Sequence, residues 1–323
     1  MTTLRQEKSP VDRLSEIPPD VRHAATWSRE KADLYAVDQY FREACWTFGD
    51  IVAEMQSVCL CMLKSEATVG RRLVPALHAL EQAGFRPVDA IRFRHDRMTI
   101  REVWRYQFNI ATRHRVEAMD VILPSTDTVA LVLRDERWTS KAVPAAVRLN
   151  ALKGPADPAL RQPTHLRHQL GVVRGLFNFT HISDELADVM RELAVISDEA
   201  RRMQTRERIL ADHDARAEVL EIFADLEARH PAHDFDIERS WASLAVDEGP
   251  VAEAARRRAR GDTPSLDEML ALTRAVPIEA PRRWDLLTVV THLLGDMNVP
   301  GVTPTVPNVT EDWRPGTVCP AGS

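Results

Sequence analysis

Cysteine is scarce in this chain: four residues, Cys45, Cys59, Cys61 and Cys319, too few and too irregularly spaced for a disulfide framework or a zinc site. Cys59 and Cys61 alternate with apolar residues and read as small buried hydrophobes on one strand face. Long hydrophobic runs are missing too. No stretch approaches the roughly 20 apolar residues of a membrane span, and the charged segment Met1 to Pro19 lacks the apolar core of a secretory signal. These absences predict a cytoplasmic protein with no membrane partner. Positive charge is not in excess: 42 Lys and Arg against 48 Asp and Glu leave a formal net charge of -6, which predicts no general affinity for nucleic acid. No internal repeat is found. What is present, 44% apolar and 28% charged residues over 323 positions, is the composition of a soluble globular protein with one large core plus added elements, or two domains.

The hydrophobic pattern divides the chain into four stretches. Residues 1–56 begin with a polar, proline-containing tail over the first 25 positions. Apolar residues from Trp27 to Met55 then recur at helical spacing. Over 57–195 the pattern alternates. Strands are predicted at Val58–Leu63, Phe85–Phe93, Thr128–Leu133 and Phe177–His181, and helices at Gly70–Ala83, Thr99–Thr112, Ala142–Leu152 and Asp184–Val195, with a Pro-rich connector from Gly154 to Pro163. That order suits an α/β (α+β) ferredoxin-like βαββαβ sandwich. Strands stop after Ile196. Residues 196–298 read as a helical extension, with a long helix over Asp198–Arg229 and further helices at Val251–Arg260, Leu266–Arg274 and Arg283–Leu294. Residues 299–323 are rich in proline and predict an extended, flexible tail.

Chemistry concentrates in Asn178-Phe-Thr-His-Ile-Ser-Asp-Glu185, where His181 lies between an apolar strand and a helix start. Free N–H groups at a helix start make an anion site, and imidazole is a competent nucleophile toward phosphorus. Glu192 follows eleven residues later. If its helix folds back beside the strand, its carboxylate fixes the imidazole tautomer and leaves the other nitrogen to attack. Taken alone, the segment reads more readily as a partly buried polar histidine without chemistry.

Several motifs fall in one order: Leu63-Lys-Ser-Glu-Ala67, Leu80-Glu-Gln-Ala-Gly-Phe85, Leu152-Lys-Gly-Pro-Ala-Asp-Pro158, Gln162-Pro-Thr-His-Leu-Arg167, Asn178-x-x-His181-x-Ser183-Asp184 and Arg191-Glu-Leu193. From Val58 to Leu193 the chain resembles the nucleoside diphosphate kinases. That family runs Ile-Lys-Pro-Asp-Ala, Gly-x-Thr-x-Pro, Pro-Gly-Thr-Ile-Arg, Asn-x-x-His-Gly-Ser-Asp-Ser and a later Glu at nearly this spacing. The resemblance implies that His181 receives and passes on the γ-phosphoryl group of ATP or another nucleoside triphosphate. Glu192 would orient it, with Ser183 hydrogen-bonded nearby. Lys64, Arg113, Arg167 and Asn178 fall at phosphate- and ribose-binding positions, and Tyr106 lies within a residue of a tyrosine that touches the site. Mg²⁺ is implied as a passenger on the nucleotide rather than on a protein site, and a homo-oligomer is implied as well.

The departures are specific. Ser65 and Glu66 replace a proline and an aspartate; Asn150 stands where a phosphate-binding arginine is expected, with Arg148 two residues earlier as a possible substitute. Ala156 removes a threonine hydroxyl. Ile182 replaces a glycine and is expected to crowd the nucleophile, and Arg115 or Val116 replaces the base-stacking phenylalanine. The expectation is therefore a phosphotransferase acting through phospho-His181 on a nucleoside diphosphate, or on a second small-molecule substrate selected by the helical extensions. The alternative is a catalytically degenerate nucleotide-binding or scaffold protein. Outside the resemblance, Arg256, Arg257, Arg258 and Arg260 read as a solvated helix face, and His230, His233, Asp234 and Asp236 as a surface loop.

Overall fold

A computed structural model describes residues 21, 24–155, 160–172, 175–306, 308, 310, 312 and 313. Four strands, β1 (Val58–Leu63), β2 (Phe85–Phe93), β3 (Thr128–Asp135) and β4 (Thr180–Ile182), form one antiparallel sheet in the order β2-β3-β1-β4. All of β1 is buried, which is why it reads as an unbroken apolar run rather than an alternating one. Among the described residues, helices α1 (Arg29–Ala36), α2 (Gln39–Phe48) and α3 (Val52–Met55) precede it. Helices α4 (Ser65–Val69) and α5 (Leu73–Gln82) join β1 to β2, α6 (Arg97–Val103) and α7 (Arg113–Ile122) join β2 to β3, α8 (Ala145–Lys153) and α9 (Leu166–Gln169) join β3 to β4, and α10 (Leu186–Ile196) follows β4. The C-terminal stretch runs through α11 (Glu199–Leu210), α12 (Arg216–Arg229), α13 (Ile237–Leu244), α14 (Pro250–Ala259), α15 (Leu266–Ala275) and α16 (Arg283–Leu293). One hydrophobic cluster extends from Val21 to Val306, so the outer stretches share the core of the sheet.

Several expected elements are interrupted by residues other than glycine in left-handed backbone. The helix expected over Gly70–Ala83 starts only at Leu73, as α5, because Arg71 (φ 56°) turns the chain between it and α4, which was not expected; the Arg71 guanidinium donates to the carbonyls of Thr68, Glu227 and His230. The long helix over Asp198–Arg229 breaks at Asp212 (φ 50°), and β4 is limited to Thr180–Ile182 because Phe179 (φ 64°) turns the chain before it. Thr99–Thr112 is not one helix: α6 ends at Val103 and a short 3-10 turn, Phe108–Ile110, precedes α7. Helix α13 was not anticipated. The expected loose ends are also corrected where they are described, since Val21, Ala25, Val306 and Trp313 are buried. Residues 1–20, 22, 23, 307, 309, 311 and 314–323, with Cys319 among them, lie outside the described residues, as does Ala156.

Helix α10 is locked from both sides by buried ion networks. Glu185, at its N-cap, is fully buried and accepts from the Thr26 hydroxyl (2.7 Å), the Trp27 amide (2.8 Å), the Lys31 ammonium (2.8 Å) and the Trp313 indole (2.7 Å). Lys31 also donates to Asp188 (2.5 Å), which takes the Tyr35 hydroxyl at 2.6 Å. Burial works against the charge on Lys31, but Asp188 and Glu185 more than offset it and its pKa is raised. One turn on, Arg191 donates to Asp38 (2.9 Å) and to the Glu102 carbonyl (2.7 Å), and Asp38 caps α2. The N-terminal helices therefore pin α10, and with it Glu192. Replacing Lys31 by Met leaves two buried carboxylates uncompensated, and a loss of about 3–5 kcal/mol is expected in urea unfolding. A change under about 1 kcal/mol contradicts that reading.

Candidate active site

His181 is the middle residue of edge strand β4 and pairs with Met62 of β1, which pairs in turn with Ala130 of β3. Alternation puts His181, Met62 and Ala130 on one face of the sheet and Ile182 with its partner Cys61 on the other. The expected crowding of His181 by Ile182 is thereby corrected. Ile182 and the fully buried Cys61 face the opposite core, where burial pushes the Cys61 thiol up to about 12.

Glu192 lies in α10, two turns past its N-cap, and folds back on β4. One carboxylate oxygen takes the Nε2 of His181 at 2.8 Å, and the other accepts the Ser183 hydroxyl at 2.7 Å. Both oxygens are thus engaged, and Glu192 is 5% exposed. The bond assigns the proton to Nε2 and leaves the Nδ1 lone pair free, because an ionised carboxylate only accepts. Nδ1 has no partner among the described residues. His181, Glu192 and Ser183 are therefore assembled as expected.

Two of the predicted cations, Lys64 and Arg167, lie close enough to feel each other's charge. Lys64, just after β1, is buried; its ammonium donates to the Leu176 carbonyl at 2.9 Å and pairs with Glu66 at 2.8 Å. Burial lowers its pKa, Glu66 counters that, and the charges of Arg167 and Arg115 lower it further. Glu66 also accepts the Phe179 amide at 3.0 Å, which ties the end of β1 to the strained turn before β4. Arg167 of α9 donates to the Gly154 carbonyl at 2.9 Å, and its Nε is buried without a partner among the described residues. Gly154 itself has φ 80°, and a Cβ there would come within 2.5 Å of the His165 ring, so a glycine is required where α8 turns toward Arg167. Asn178 offers a buried Oδ1 with no partner among the described residues.

Three predicted positions are not brought to His181. Arg113 is 74% exposed on α7, where it pairs with Glu117 and Asp267. The cation that reaches toward Lys64 from this helix is Arg115, anchored to Asn298 at 2.6 Å. Arg148 lies at the far end of the sheet, chelating Asp135 at the end of β3 and covering the Phe85 ring, so it does not substitute for the missing arginine. Tyr106 belongs to the α10 lock: its hydroxyl donates to Asp38 at 2.7 Å and Arg191 stacks on its ring. The aromatic side chain on His181 is Trp104, edge-on at 5.1 Å between ring centres. Asn150, at the missing arginine's place, holds Asp184. Sequence reading missed Trp104, Lys153 and His95; the only signal was the offset of two residues between Trp104 and Tyr106.

His95 is 1% exposed, and both its ring nitrogens lack partners among the described residues. It packs on Phe93 (4.7 Å) and on the same Trp104 (5.6 Å). Burial, aided by the charges of His181 and Lys64, depresses its pKa to about 3. Elsewhere, His233 is half-buried against Asp285 (3.1 Å) and Phe235 rather than a surface residue, whereas Arg257, Arg258 and Arg260 form exposed pairs with Glu268, Glu238 and Glu253. No protein-family model matches the chain, and neither does any curated protein.

His95 supplies a pH test. In the unfolded chain it takes up a proton as pH falls through about 6.5, whereas in the fold it resists until about 3. Its contribution to stability is therefore complete above about pH 6.5 and is lost as pH falls toward 3, at up to roughly 1.4 kcal/mol per unit. His95→Leu is expected to match the wild type at pH 7, since it removes two unpartnered polar atoms. Between pH 6 and 4 its urea midpoint should fall less steeply. Parallel slopes for the two proteins contradict the assignment.

Proposed function

We propose that this protein is a phosphotransferase that carries a phosphoryl group on Nδ1 of His181, taking it from a nucleoside triphosphate and passing it to a nucleoside diphosphate or to another acceptor. The observation that carries this reading is the Glu192 carboxylate bonded at once to His181 Nε2 and to Ser183, which leaves Nδ1 without a partner among the described residues and free to act as a nucleophile. The antiparallel order β2-β3-β1-β4 is that of a ferredoxin-like βαββαβ sandwich and supports membership of the nucleoside diphosphate kinase type.

The chemistry follows from the residues. Lys64, Arg115 and Arg167 attract the phosphate chain and cancel its charge, which is most of what phosphoryl transfer asks of a protein. The Nδ1 lone pair forms the N–P bond as the bridging P–O bond breaks, and the nucleoside diphosphate departs with the bond's electrons. Glu192 offsets the positive charge that develops on the imidazole. The acceptor oxygen then reverses the step and restores neutral His181. Asn178 Oδ1 is suited to a ligand hydroxyl, as from ribose. Mg²⁺ would enter as a passenger on the nucleotide rather than on a protein site. On the nucleotide it supplies further charge cancellation at the β- and γ-oxygens.

Incubation with γ-labelled ATP and Mg²⁺, quenched in alkali, is expected to leave acid-labile label on the wild type and none on His181→Ala. Glu192→Gln should label about 10- to 100-fold more slowly. Nucleotide binding without label from any of the four triphosphates would instead favour the scaffold reading.

A further inference from the structure

Lys153 ends α8, a helix that packs on both β4 and α10, and this brings its side chain to the edge of the sheet where His181 lies. The side chain is 16% exposed, within reach of a ligand but largely out of water. Among the described residues its carboxylate partner is Asp184, and the ammonium stands 3.6 Å from the Asp184 oxygen, a long contact for a hydrogen bond. That same oxygen already accepts the Asn150 amide. Glu192 also attracts Lys153, but both of its oxygens are committed to His181 and Ser183. Against these stands Arg167, whose charge opposes that of Lys153, and whose buried Nε has no partner among the described residues. The C-terminal end of α8 gives the ammonium some compensation, as helix ends do for cations. Burial still holds its pKa below the ordinary lysine value. Two half-buried cations thus share one distant, already occupied carboxylate, beside a nucleophile with a free lone pair.

We propose that Lys153 is a further phosphate-binding residue of this site, and that Asp184 is its resting counter-ion, released when a phosphoryl oxygen takes the ammonium. The inference rests on the phosphotransfer reading and narrows its substrate class. Arg167 opposes the charges of both Lys153 and Lys64, and Arg115 opposes that of Lys64, so the four cations form one cluster, which suits a chain of several phosphates rather than a single one. A lysine suits this role because its ammonium is a mobile point charge that can leave one oxygen for another.

The test measures ATP affinity of the full chain by calorimetry in Mg²⁺, beside the labelling of His181. Lys153→Met is expected to weaken ATP binding by about tenfold or more, and Lys153→Arg to recover part of it. Asp184→Asn, which removes the competing charge and keeps an acceptor for Asn150, is expected to tighten binding. Opposite signs for these neighbours exclude simple damage to the fold, which thermal melts of each variant monitor independently. ATP binding by Lys153→Met at wild-type strength, or weakening by Asp184→Asn, overturns the assignment and leaves the His181 reading standing if the wild type takes label. Weakened binding by Lys153→Met in a protein that never takes label supports the assignment and defeats the transfer reading. A wild type that binds neither ATP nor pyrophosphate overturns both.

Discussion

The carboxylate of Glu192, shared between the His181 ring and the Ser183 hydroxyl, is the interaction on which the rest of the architecture converges. A histidine on an edge strand would otherwise rotate or bond to water. Holding it needs a carboxylate delivered from a second element at hydrogen-bond distance, and that element must not slide. The buried pairs around Glu185, Asp188 and Arg191 serve this end. They desolvate several charges, so they are poor sources of net stability, but breaking any one is costly, which makes the register of α10 hard to shift. Seen this way, α1 and α2 are part of the site's support. The C-terminal stretch contributes as well, through Trp313 on Glu185 and Asn298 on Arg115.

A second constraint lies across the pocket. Lys64, Glu66 and Phe179 form a closed corner: Glu66 holds both the Lys64 ammonium and the Phe179 amide, and the Lys64 amide returns to the Phe179 carbonyl at 2.9 Å. Phe179 keeps a left-handed backbone that costs free energy for a bulky residue, and its fully buried ring, packed near Phe235 at 6.0 Å, retains it there. The strain sits two residues before His181. It shortens β4 and sets the side chain that faces the pocket. Glu66 is therefore integral to this corner.

The strands and the pairing of His181 with Glu192 were legible because they rest on local signals: apolar runs bounded by turns, and an eleven-residue interval that a strand-turn-helix spans. What sequence could not supply was set by tertiary contacts. Arg71, Asp212 and Phe179 interrupt predicted elements with a positive φ that no composition rule assigns to them. Arg113 and Arg115 differ by about 200° around one helix, so an error of two positions exchanges a solvent residue for a pocket residue. Tyr106 and Trp104 lie beyond the end of α6, where the helical register no longer applies. Arg148 was a reasonable substitute by proximity along the chain, yet α8 points it to the opposite end of the sheet, while Lys153 at the end of the same helix reaches the site.

The central claim is that Glu192 reserves Nε2 of His181 and leaves Nδ1 to carry phosphorus. Nitrogen–phosphorus correlation NMR on protein with ¹⁵N-labelled histidine, after exposure to Mg·ATP, reads the bonded nitrogen directly. The account predicts coupling from phosphorus to Nδ1 of His181, with Nε2 still protonated and bonded to Glu192. Phosphorus on Nε2, or on any other histidine, would contradict it.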